Sequence, residues 1–187
     1  MSFRENGSVL FHNNSFNTED YLEGGLIKAT TIKLLHNTSA EFSENKTASS
    51  WGWEGTQGGL LSAWDVEIAH NDNVLFSKNT NSSKYGISGG IISASNSVKF
   101  QNNASIEFSN NSFQAREYGD GALIETGDMY FVDNGKVKIC ENSAETYYGW
   151  LYGGVCKAHS VTISGNDEFE VSDNYLHGDT CAKPQDV

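Results

Sequence analysis

The feature that most constrains this chain is a repeat of asparagine. Twelve times a large apolar residue is followed three positions later by Asn, and the asparagines fall into two columns. Asn6, Asn37, Asn71, Asn103, Asn134 and Asn166 form the first; Asn14, Asn45, Asn79, Asn111, Asn142 and Asn174 form the second. Each member of the first column precedes its mate in the second by eight residues, and successive units are 31, 34, 32, 31 and 32 residues apart. A fixed period of this size is the mark of a solenoid, in which one unit cannot bury its apolar face without a neighbour.

A glycine pair marks the start of each unit. Gly24-Gly25, Gly58-Gly59 and Gly89-Gly90 each lead into two aliphatic residues, with Asp120-Gly121-Ala122-Leu123 and Gly153-Gly154-Val155-Cys156 as variants. In the second unit, Gly59 to Ala63, Val66 to Ala69 and Val74 to Ser77 are short apolar segments bounded by turn residues. Such segments read as strands, and nowhere is a 3.6-residue period sustained. Three short strands per unit at a near-constant interval predict an all-β fold: a right-handed parallel β-helix, the hand following from the rule for parallel crossovers. About six coils start near residues 1, 24, 58, 89, 120 and 153, residues 175–187 form a C-terminal tail, and the whole chain is one segment of a longer solenoid. Coils stack about 4.8 Å apart, giving a rod of roughly 25 Å. Phe42, Phe76, Phe108, Ile139 and Val171 then form an interior stripe, and Leu34, Ile68, Phe100, Phe131 and Ile163 a second. The motif pairs Phe11 and Asn14, Phe42 and Asn45, Phe76 and Asn79, and Phe108 and Asn111 place Asn at a corner. Asn itself is expected to adopt the left-handed conformation there while its amide bonds along the column.

The tandem Phe-x-x-Asn and Gly-Gly-x-[Ile/Leu] units resemble the passenger region of the chlamydial polymorphic outer membrane proteins, over residues 3 to 174. The resemblance implies a β-helical passenger of an autotransporter adhesin that engages a host cell-surface protein receptor. It implies display on the extracellular side of the bacterial outer membrane, or release from it, with a membrane-embedded barrel that this chain does not contain. The repeat Phe and Asn point into the coil, so their expected role is architectural even though the family's tetrapeptides are associated with adhesion.

Contact is expected from the tails that run from each second-column Asn to the next glycine pair and emerge as loops at one corner. They hold Phe16, Tyr21, Trp51, Trp53, Tyr85, Phe113, Tyr118, Tyr147, Tyr148, Trp150 and Tyr152. The candidate binding residues are Trp51, Trp53, Tyr85, Tyr118, Tyr147, Tyr148 and Trp150, because Trp and Tyr often anchor protein interfaces. The bland alternative is that these rings fold back over the coil.

Other function classes fare less well. A net charge of −12 disfavours nucleic acid and heparin-like polyanions. Asp65 with Glu67 and Glu125 with Asp128 are the nearest carboxylate pairs for a glycosidase-like or lyase-like enzyme. Acidic residues on an exposed strand also serve solubility, and no catalytic residue is assigned. A spacer that lifts a distal head is a third reading. Gly86-Ile87-Ser88-Gly89-Gly90 matches a nucleophile motif that needs a strand-to-helix elbow. His36 and His70 share a column and should stack, without forming a metal site; no metal or cofactor is expected. Asn-x-Ser/Thr triplets at Asn6, Asn37, Asn45 and Asn103 are accounted for by the corners. Residues Met1 to Asp20 lack the basic start and apolar centre of a secretion signal. Self-association is expected from uncapped coils. Of Cys140, Cys156 and Cys181, two are expected to pair: Cys140 sits in a column of serines, Cys156 takes an aliphatic position beside Leu123 and its equivalents, and Cys181 is placed to return to either.

Overall fold

The computed structural model describes residues 1–50 and 55–178. Among these every regular element is a strand and every strand pairing is parallel. Four sheets run the length of the molecule. The first wall stacks Ser2–Arg4, Ile27–Leu35, Leu61–Ala69, Ile92–Gln101, Ile124–Val132 and Cys156–Ser164. The second stacks Ser8–His12, Ser39–Ser43, Asn73–Ser77, Ser105–Ser109, Lys136–Cys140 and Glu168–Ser172. The third holds Ser15–Thr18, Lys46–Ser49, Thr80–Ser83, Ser112–Ala115, Ser143–Thr146 and Tyr175–Gly178. A fourth, of shorter strands, holds Leu22–Glu23, Thr56–Gln57, Gly86–Ser88, Tyr118–Asp120 and Trp150–Tyr152. Among the described residues the chain is therefore a β-solenoid with five four-walled coils and three walls of a sixth.

Like residues lie over like residues. Phe11, Phe42, Phe76 and Phe108 stack with centroid spacings of 4.9, 4.8 and 4.7 Å, nearly face to face. Phe100 stacks on Phe131 at 4.8 Å and meets Phe108 edge-on at 5.7 Å, so the two aromatic stripes lock together across the lumen. Ile32, Val66, Val98 and Met129 form an aliphatic row beside them. Fully burying each such side chain stabilises by about 1.5–3 kcal/mol.

The asparagine columns are saturated hydrogen-bond ladders. Asn79 donates its amide N–H bonds to Asn111 Oδ1 at 2.9 Å and to the Phe42 carbonyl at 2.8 Å. Its Oδ1 accepts from the Asn45 backbone N–H at 3.1 Å and the Asn45 side chain at 3.0 Å. The same four contacts recur at Asn71, Asn103 and Asn111. The Phe-x-x-Asn spacing thus links a coil to its neighbours twice: the Phe carbonyl accepts from the next Asn, while the ring fills the core.

Four expectations need correction. The Asn residues are not left-handed; the residue before each one is, as at His36 (φ 54°), Glu44 (φ 57°), His70 (φ 56°) and Lys78 (φ 54°). That exposed residue makes the turn, and so frees Asn to point inward. The coil has four walls rather than three strands and a loop. Gly59 to Ala63 and Val66 to Ala69 fall largely in one strand, Leu61–Ala69, because the ladder to the preceding coil skips Trp64 but resumes at Asp65 in the same register. Conversely, the tails form the third and fourth walls, held by backbone pairing although inward residues such as Thr47 and Asn81 are polar. Residues 175–178, assigned to a tail, pair with Ser143–Thr146.

The glycine register also shifts. Gly121 (φ 56°) aligns with Gly24 (φ 61°), Gly58 (φ 53°) and Gly89 (φ 57°), so the fifth unit starts at Gly121 and keeps its first glycine. Ala122 replaces the second. The reason is steric: the second glycine faces the third wall, where Asn81 crowds Gly59 and the Phe113 ring fills the space beside Gly90. Small Ala144 stands in that row in the next coil, where the second position is Ala122. Cys156 consequently pairs with Ile124 rather than Leu123. At the far end Val161, Ile163, Val171 and Leu176 continue the inward rows but are 51%, 50%, 54% and 38% exposed.

Two substitutions separate the ladder from ordinary polarity. Asn79→Ala strips four partners at once and should lower stability by about 3 kcal/mol or more, read as a fall in thermal midpoint. Asn81 is 2% exposed with both amide atoms unpartnered among the described residues. Asn81→Thr keeps a small side chain, and its hydroxyl can reach a carbonyl one coil on, as Thr47 does at 3.5 Å. It should raise stability by about 1 kcal/mol, read as a higher urea midpoint.

Candidate functional site

With every strand paired on both sides except at the ends, contact with another molecule falls to outward side chains. The candidate aromatics divide by what lies beneath them. Tyr118 follows Gly86 in the fourth-wall stack, and its ring occupies the space that a side chain at 86 would fill. It covers the wall. Phe113 is buried against Gly90 and the core. Tyr85 and Tyr21 are half-buried. Trp51 and Trp53 lie outside the described residues.

Tyr147, Tyr148, Trp150 and Tyr152 instead stand out at 49%, 64%, 56% and 53% exposure. They cluster because the fifth coil turns its third-to-fourth-wall corner here: Trp150 stacks on the strand of already outward Tyr118, with Tyr152 6.1 Å away. Phe16 is also exposed, on the first coil.

Beside this cluster runs a groove of about 470 Å³. Ser49 and Ser50 come from one coil, Ser82 to Lys84 from the next, and Gln114 and Arg116 from a third; Tyr147 and Tyr148 close it. The Arg116 guanidinium lies 5.3 Å from the Tyr148 ring centroid, a cation–π contact that holds both in place. Sequence reasoning identified Tyr148 but missed Arg116, because the two meet only when consecutive coils stack. It also passed over Trp64, 58% exposed on the first wall above a depression of about 550 Å³ edged by Thr30, Ser62 and Ser95. The repeat gives no pointer to it, because the ladder skips Thr30 and Trp64 between the Ala29–Ala63 and Thr31–Asp65 pairs.

The carboxylates are engaged in the walls. Asp65 accepts from Ser97 at 2.6 Å and Asn96 at 2.8 Å, and the Ser97 hydroxyl foremost holds it below the usual carboxylate range. A general acid needs the opposite shift. Glu67 pairs with Lys33 at 2.5 Å, Asp128 accepts from Ser160 at 2.6 Å, and Glu125 is bound by Ser88 and lies 3.6 Å from Lys157. Ser88, the motif serine, sits in a fourth-wall strand with no helix after it. His36 and His70 stack at 4.8 Å as expected. Among the described residues no three His, Cys, Asp or Glu side chains gather as a metal site.

Cys140 and Cys156 carry free thiols, and Cys181 lies outside the described residues. Burial raises the Cys140 thiol and pushes Cys156 up to about 12. Both should therefore alkylate far more slowly in the folded protein than in urea at pH 8, where only the thiolate reacts, as read by peptide mass mapping. Comparison with protein-family models, curated proteins and solved structures gives no match.

Proposed function

We propose that the protein is part of a bacterial surface adhesin of the autotransporter kind, which attaches to host cells through the aromatic corner of its solenoid. One observation carries the contact surface: Tyr147, Tyr148, Trp150 and Tyr152 are exposed together beside a groove that contains a fixed guanidinium. Large rings with few rotatable bonds lose little entropy on binding and often hold most of an interface's energy. The resemblance of the Phe-x-x-Asn and glycine-pair units to polymorphic outer membrane proteins supports the surface location and the adhesive role.

The solenoid suits such work because its stability resides in the ladders and the lumen, leaving outward positions free to vary. The rival reading, a carbohydrate-active enzyme, has less support: each carboxylate in the two pairs is already tied to a hydroxyl, an amide or a lysine.

Attachment of the labelled chain to cultured host cells provides the test. Tyr148→Ala with Trp150→Ala should reduce binding at least tenfold while the circular dichroism spectrum stays unchanged, since both side chains are exposed. Undiminished attachment would place the contact elsewhere, and release of reducing or unsaturated sugars from a polysaccharide panel would favour the enzyme.

A further inference from the structure

We infer that the groove between Arg116 and Tyr147 is a subsite for a saccharide bearing a single carboxylate, of the sialic-acid or uronic-acid class. The inference rests on the adhesive reading and names the chemistry by which it would recognise a host surface. It begins with charge. The chain carries 24 acidic against 12 basic residues, and Lys28, Lys33, Lys136 and Lys157 are each paired with a carboxylate. Among the described residues Arg116, like Arg4, Lys46, Lys78 and Lys99, forms no ion pair; its guanidinium carbon lies 5.3 Å from the centroid of the Tyr148 ring at the edge of the groove. A guanidinium beside a ring keeps N–H groups with which it can bind a carboxylate through two parallel hydrogen bonds. Lys84, nearby, is engaged in a contact of its own.

The remaining lining fits a sugar. Ser50 and Ser82 offer hydroxyls and Gln114 an amide, matching the donor and acceptor pattern of a pyranose ring. Tyr147 and Tyr148 provide flat surfaces for its C–H face. Since the lining comes from four consecutive coils, the groove extends about 15 Å along the axis at the parallel-strand spacing, room for a short oligosaccharide lying lengthwise. The net charge of −12 sets the limit on charge density. A densely anionic polymer is repelled by the whole rod, whereas one carboxylate at one arginine is screened from distant charges beyond about 8 Å at physiological salt.

Calorimetric titration of the whole chain with sialyllactose, with a glucuronate-containing disaccharide and with lactose provides the test. At least one of the two carboxylated sugars should bind at least tenfold more tightly than lactose. Arg116→Ala should abolish that preference with unchanged circular dichroism, while Arg116→Lys should retain part of it. Equal binding of lactose, no binding of either acidic sugar, or a preference that survives Arg116→Ala would overturn the inference. Host-cell attachment that depends on Arg116 but survives enzymatic removal of sialic acid and uronate glycans would assign the guanidinium to a protein carboxylate, overturning the saccharide while leaving the adhesin standing. Binding of an acidic sugar without attachment to cells would do the reverse.

Discussion

The structure depends on the side-chain amide of asparagine repeated at the winding interval. A parallel coil must turn several corners, and each turn removes backbone groups from sheet pairing. Asn79 and its equivalents resolve this by placing a fully satisfied amide inside the bend, bonded both ways along the rod. With that corner fixed, the residue three positions earlier has no choice but to face the lumen. The aromatic stripe follows from the ladder as much as from its own hydrophobicity.

The lumen is filled by complementarity between non-adjacent walls. The second glycine of each unit and the third-wall residue facing it share one volume, as Gly90 with Phe113 shows. Where the third wall shrinks to Ala144, the glycine gives way to Ala122. Polar Asn81 enters this row without a partner among the described residues, so the third wall is held by its backbone rather than by the chemistry of its inward side chains. The proposed contact surface is separate from all of this: it lies at an outward corner where Tyr147 and Tyr148 are exposed and Arg116 sits over the Tyr148 ring.

What recurs along the chain was legible in the sequence, because stacking like on like imposes a period. The Asn columns, the Phe stripe and the stacked histidines are all of that kind. Features that depend on a comparison between walls were not. The third wall's Thr and Ser resemble loop residues, and only pairing with a neighbouring coil makes them strand. Left-handed geometry falls one residue ahead of the column Asn, at Glu5, His36, Glu44, His70, Lys78 and Glu141 on types that carry no hint of it, although Asn102, Asn110 and Gly165 are types that do. Tyr118 and Tyr148 look alike in the sequence; Gly86 under one and Arg116 beside the other give them opposite fates.

The ladders also give the molecule an arrow. Every column amide presents its oxygen toward the coil before it and its backbone N–H toward the coil after it, from Asn6 to Asn166 and from Asn14 to Asn174. Within each column, therefore, the first residue, Asn6 or Asn14, turns an amide oxygen to the open end of the ladder, and the last, Asn166 or Asn174, a backbone N–H. A further coil whose asparagine joined either column would have to wind in the same sense, because the amide-to-amide bonds run one way along the rod.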